Sequence, residues 1–151
     1  MSQFDPQSFL DATLTDPTEK RNPLPIGDYL AVLGEVTART WTSKTDSSRS
    51  GIAWDVPLTI EVPAEIQDSA KLPPTITLKG GIMLDVTADG MIDNAPGRNR
   101  GLRMYREALD MNKPGEPFSA RLMQGRVLKV KISHEIYHNA AVEKVDGVVK
   151  A

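Results

Sequence analysis

The chain has no cysteine, which excludes disulfides, thiol catalysis and every Cys-based zinc or iron–sulfur site. It has only two histidines, His134 and His138, too few for His-rich metal chemistry. Aromatic residues make up 5% of the sequence, so any ring outside a core pattern carries information. No run approaches the ~20 apolar residues of a membrane-spanning helix. The start, Met1-Ser2-Gln3-Phe4-Asp5, lacks the basic residues and apolar stretch of a secretory signal. These absences lead us to expect a cytoplasmic protein with no membrane contact, no metal and no cofactor. What is present, 151 residues with 40% hydrophobic and 25% charged side chains, suits one folded domain.

The net charge of −2 hides an uneven distribution. Residues 1–38 carry −4, 39–60 carry +1, 61–95 carry −4, 96–131 carry +6 and 132–151 carry −1. Half of the 18 basic residues therefore lie between Arg98 and Lys131. Such a block either meets a polyanion or forms a solvated face balanced in space by the acidic segments.

Residues 1–27 contain four prolines and short apolar clusters at Phe4, Phe9, Leu10 and Leu14, and read as an irregular arm. The folded domain is expected over 28–151. A first long strand covers 28–39, with Gly34 marking a bend. A polar loop, 40–50, is expected to be flexible. The second strand alternates: Ile52, Trp54, Val56, Leu58, Ile60 and Val62 face one way, and Ala53, Asp55, Pro57, Thr59 and Glu61 the other. Pro57 lacks a donor and implies a free or bulged edge. After a Pro-rich connection, a third strand carries Ile76, Leu78, Ile82, Leu84 and Val86. A helix over 99–112 places Leu102, Met104, Tyr105, Ala108, Leu109 and Met111 on one arc and Arg100, Arg103 and Arg106 opposite, with i,i+4 pairs Arg103/Glu107 and Arg106/Asp110. The fourth strand, 126–137, sends Lys129, Lys131 and Tyr137 to one face. A His138-Asn139 turn leads to a fifth strand over 140–149.

This order fits a mainly β domain, the five-stranded Greek-key OB-fold barrel with a helix between strands three and four, although a helix-on-sheet domain has the same linear order. In such barrels the outer faces of strands two and three, with the one–two and four–five loops, form the usual groove. The one–two loop region holds Arg39, Trp41, Lys44 and Arg49. Cations with an aromatic ring are what single-stranded nucleic acid requires, for phosphates and for stacked bases. Trp41 either stacks bases or folds back over the core, and Tyr137 is a second stacking candidate. Trp54 and Tyr105 read as core, and His134 as a buried, hydrogen-bonded residue. Lys79 is the single basic residue expected on the outer faces of strands two and three, where no aromatic residue occurs. Arg98, Arg100 and Arg103 are secondary phosphate candidates. Gly97-Arg98-Asn99-Arg100-Gly101 lacks a Walker ending and reads as a turn and helix start. No nucleophile–base or metal constellation is present, which argues against an enzyme.

Four segments resemble small phage and prophage proteins of a family that includes OB-fold single-stranded DNA-binding proteins. They are Pro23-Leu24-Pro25-Ile26-Gly27-Asp28-Tyr29-Leu30-Ala31, Trp41-Thr42-Ser43-Lys44, Arg106-Glu107-Ala108-Leu109, and Met123-Gln124-Gly125-Arg126-Val127-Leu128-Lys129-Val130-Lys131. Where the family typically has a Gly-containing last turn, His138-Asn139-Ala140 stands here. The resemblance implies a protein that coats single-stranded DNA in replication or recombination, with little sequence preference, in the cytoplasm of an infected bacterium. Expected partners are single-stranded DNA, other phage replication or host proteins, and further copies of the chain through the N-terminal arm. The alternative is a virion component or host-interaction protein using the barrel and arm for protein contacts.

Overall fold

The computed structural model describes residues 5–151; Phe4, counted above in the arm's apolar cluster, lies outside the described residues. The domain is mainly β. Its strands are β1 (Gly27–Leu33), β2 (Thr37–Thr42), β3 (Ser50–Glu61), β4 (Thr75–Leu84), β5 (Val127–Tyr137) and β6 (Ala140–Val149), and its helices are α1 (Ala64–Ala70) and α2 (Arg100–Ala108). The six strands of the described residues join one antiparallel sheet. β3 pairs on one edge with β4 and on the other with β2 and then β1, β1 pairs with β5, and β5 with β6.

The expected first strand is two strands, broken at residues 34–36, and the break has a clear cause. Ladder pairing along that edge of β3 runs Thr37↔Asp55 on one side and Leu33↔Leu58 on the other. The gap faces Pro57, which has no N–H to donate. A Cβ on Gly34 would lie 3.0 Å from the Pro57 ring, so a side chain there would crowd the proline at the bend. β3 is a central strand, but its ladder on that edge is interrupted at Pro57, as the missing donor implies, while its other edge pairs Pro57 with Lys79.

The expectation of a closed five-stranded barrel needs correction too. β4 and β6 do not pair with each other among the described residues; α2 packs against both. The helix is shorter than 99–112 because Asp110 takes a left-handed φ of 58° and breaks the α-helical path. The connection before β4 also contains α1, a two-turn helix that starts after Pro63 and ends at Lys71 in a left-handed conformation.

The core lies inside the curve of the sheet. Leu33, Val56, Leu58, Ile60, Ile82, Leu128 and Val130 are buried from the strands, with Tyr105 from α2 and Met123 from the 3-10 turn before β5. Each fully buried aliphatic side chain stabilises the fold by about 1.5–3 kcal/mol. Trp54 packs against this cluster, as its place in the inward set predicts. His138 and Asn139 both have positive φ, 49° and 63°, which gives the two-residue turn whose twist matches a β hairpin.

Leu24, before β1, is completely buried and tied at both backbone groups. Its N–H donates to Glu143 Oε1 at 3.0 Å, and its carbonyl oxygen lies 2.7 Å from His134 Nε2. Glu143 also accepts from Arg21. Burial alone would raise the Glu143 carboxyl, but the bonds from the Leu24 N–H and Arg21 outweigh it and hold the group below its ordinary value of 4.5. A carboxylate depressed in this way contributes stability that is present above its unfolded pKa and lost as pH falls through the folded one. The protection of the Leu24 amide against exchange, relative to the unfolded rate at the same pH, should therefore be high at neutral pH and fall below about pH 4.5. Glu143→Gln should remove that pH dependence; an unchanged profile would show that Glu143 does not anchor this segment.

Candidate nucleic-acid interface

Strand register builds the site. Trp41 pairs with Gly51, Arg39 with Ala53, and Ala53 in turn with Met83. Asp55 pairs with Thr37 and Gly81, and Pro57 with Lys79. Alternation puts these residues on the outer face, opposite Trp54, Val56 and Leu58. Arg39 and Trp41, expected in the loop, belong to β2. Trp41 is half-buried, its indole set against Gly51, and its Nε1–H is covered with no hydrogen-bond partner. The ring is held on the sheet surface instead of swinging free from a loop. It does not cap the inner core.

A Cβ on Gly51 would lie 2.8 Å from Trp41 Nε1 and 2.9 Å from Cε2 and Cζ2, so a side chain there must displace the ring. Gly51→Ala should shift tryptophan emission to longer wavelength while changing stability by no more than about 1 kcal/mol, because the atoms that yield belong to the outer end of a side chain. Emission identical to that of the parent would show that Gly51 does not seat the indole.

Asp55 is the residue on this face that the sequence pattern did not single out. Its carboxylate accepts from Arg39 Nε at 3.1 Å on both oxygens and lies 3.9 Å from Lys79 Nζ. Two cations share one anion, leaving a net positive cluster beside Trp41. Further along the face Thr59 and Thr77 hydrogen-bond at 3.2 Å.

The loop between β2 and β3 is less loose than its composition suggests. The Ser43 N–H donates to the Arg49 carbonyl at 2.9 Å, and the Asp46 carboxylate accepts from the Ser48 side chain and N–H, which lowers its pKa. Lys44 and Arg49 are exposed on it, and neither forms an ion pair among the described residues.

The outer face continues across β1 to β5. Val32 pairs with Thr59 and Val127, Leu30 with Lys129 and Asp28 with Lys131. Leu30, Val32 and Val127 are exposed at 43%, 45% and 47%, an apolar bridge between the Arg39–Lys79 cluster and Lys129–Lys131. Neither lysine is in an ion pair among the described residues, although Asp28 and Glu61 border them with opposite charge. Tyr137 has the same strand parity and is 61% exposed at the tip of the β5–β6 hairpin, its ring edge-on to His138 at 4.2 Å. Six residues at ~3.3 Å place it roughly 20 Å from Lys131.

The secondary cations divide. Arg98 is committed to Asp93 at 3.2 Å and Asp85 at 3.7 Å. Arg103 lies 3.8 Å from Glu107, as the i,i+4 spacing predicts. The Arg106/Asp110 pair does not form: Arg106 donates to the Met111 carbonyl at 3.0 Å and lies over the Phe118 ring, while Asp110 meets Lys113 and Lys150. Arg100 has no ion pair among the described residues. The backbone before α2 is not a phosphate cradle, because Asp85 occupies it. Asn99 N–H donates to Asp85 Oδ2, and the buried Asn99 side chain bonds Asp85 N, Asp85 O and Asp93 O.

Among the described residues no group of His, Asp and Glu is placed to hold a metal ion, and no helix is long and apolar enough to cross a membrane. No protein-family model matches the sequence, and no curated protein is significantly similar to it.

Proposed function

We propose that the chain is a non-enzymatic phage protein that binds single-stranded DNA in replication or recombination with little sequence preference. The observation that carries this reading is one outer sheet face that gathers Trp41, Arg39 and Lys79 beside the Lys44–Arg49 loop. It continues over an apolar bridge to Lys129 and Lys131. Cations in a line with a ring among them suit a strand whose phosphates are neutralised while a base stacks. The connectivity also supports an OB-like architecture: β1 and β2 act as one bent strand, and α2 stands where a closed barrel would join its third and fifth strands. Asp55, Asp28 and Glu61 thin the positive field, so binding should be modest and salt-sensitive. Trp41→Ala should weaken binding about 5–150-fold, the equivalent of one stacked base at ~1–3 kcal/mol, and abolish most DNA-induced quenching. Full quenching in that variant would place the stacking elsewhere.

The second reading, a virion or host-interaction protein, is favoured by the exposure of Leu10 (79%) and Leu14 (81%) in the arm. Mass spectrometry of purified virions separates the two: a stoichiometric particle protein supports the second, and near absence supports the first.

A further inference from the structure

We propose that the groove between α2 and β6 receives the acidic N-terminal arm of a second copy of this chain, so that copies join head to tail. The groove has a volume of about 620 Å³ and is lined by Met104, Ala108 and Val149, with three cations, Arg100, Arg103 and Lys150, and one carboxylate, Glu107, around it. Arg103 and Lys150 each have a carboxylate neighbour, Glu107 at 3.8 Å and Asp110 at 3.4 Å, which leaves Arg100 as the cation without an ion pair among the described residues.

The arm is complementary in both respects. Residues 5–19 carry Asp5, Asp11, Asp16 and Glu19 and no lysine or arginine. Leu10 and Leu14 are 79% and 81% exposed. The arm is also partly shaped before any contact, since a 3-10 turn over Pro6–Asp11 is capped by Asp5, which accepts from the Gln7 N–H at 3.1 Å. Apolar side chains between carboxylates suit an apolar floor with a cationic rim.

A second copy is the occupant because the arm's own chain leaves both surfaces uncovered. The arm's root is fixed by the Arg21–Glu143 contact and by Asn22 donating to the Ala70 carbonyl at 2.8 Å, and the leucines beyond it stay in solvent. One arm and one groove per chain make a heterologous contact, which propagates into an open series of copies or closes into a ring. The inference does not depend on DNA binding and is tested without DNA, so either proposal can fail alone.

Sedimentation velocity of the full chain at low salt, over rising concentration, is the test. The chain should form species larger than a dimer. Leu10→Asp/Leu14→Asp should be monomeric, and Arg100→Glu, at an exposed position, should weaken association about tenfold or more. Mixing those two variants leaves one intact arm and one intact groove, so a heterodimer as tight as the parental contact, and nothing larger, is expected. A wild-type chain that remains monomeric overturns the proposal, as does association that survives the arm substitutions or is unaffected by Arg100→Glu. Circular dichroism melting confirms that each variant is folded.

Discussion

Lys129→Ala combined with Lys131→Ala should lower affinity for single-stranded DNA about 25-fold at 0.1 M salt. Each phosphate neutralised on a single strand contributes ~0.7 to the slope of log affinity against log salt, so losing two contacts should flatten the slope by about 1.4. Both lysines project from the outer face of β5 without an ion pair among the described residues, and neither supports the core. Stability should therefore move by no more than about 0.5 kcal/mol. Fluorescence anisotropy of a labelled oligo-dT over a salt series reads both quantities. An affinity loss with an unchanged slope would mean that these lysines do not meet phosphates.

Tyr105→Ala should cost about 3–5 kcal/mol of stability, the range for removing a large buried aromatic side chain. Tyr105 is 2% exposed, and burial pushes its phenol up to about 12, so it stays neutral throughout the physiological range. It reaches from α2 over β4: a Cβ on Gly80 would lie 2.3 Å from its hydroxyl and 3.0 Å from Leu58 Cδ1. Because α2 stands between the two unpaired end strands, the loss should loosen the contact of β4 and β6 with the helix. Gly80→Ala approaches the same contact from the other side and should cost about 1–3 kcal/mol by overpacking. Urea denaturation measures both; a Tyr105→Ala variant as stable as the parent would show that α2 does not close the domain.

Much of the fold was legible because its signals are local. Period-2 alternation placed β3 and β5, Gly34 marked the bend, and His138-Asn139 marked the hairpin. Gly34 and Pro57 gave separate hints whose shared cause appears only once the two strands are set in register. α1 was hidden because Pro63, Pro73 and Pro74 flank a segment of two turns, and Lys71 ends it where a glycine would be the usual signal. The site was legible as a list of residues but not as an arrangement. Trp41 was identified, but its seat on Gly51 depends on pairing across a hairpin. Asp55 draws Arg39 and Lys79 together from two different strands, and Asp85 and Asp93 neutralise Arg98, all through contacts that no spacing rule expresses.

The most direct measurement is a titration of the chain with fluorescently labelled oligo-dT at low and at moderate salt. Saturable binding at low salt that weakens steeply at moderate salt, with tryptophan quenching lost in Trp41→Ala, is the predicted result. No binding even at low salt would contradict the assignment of this sheet face to single-stranded DNA.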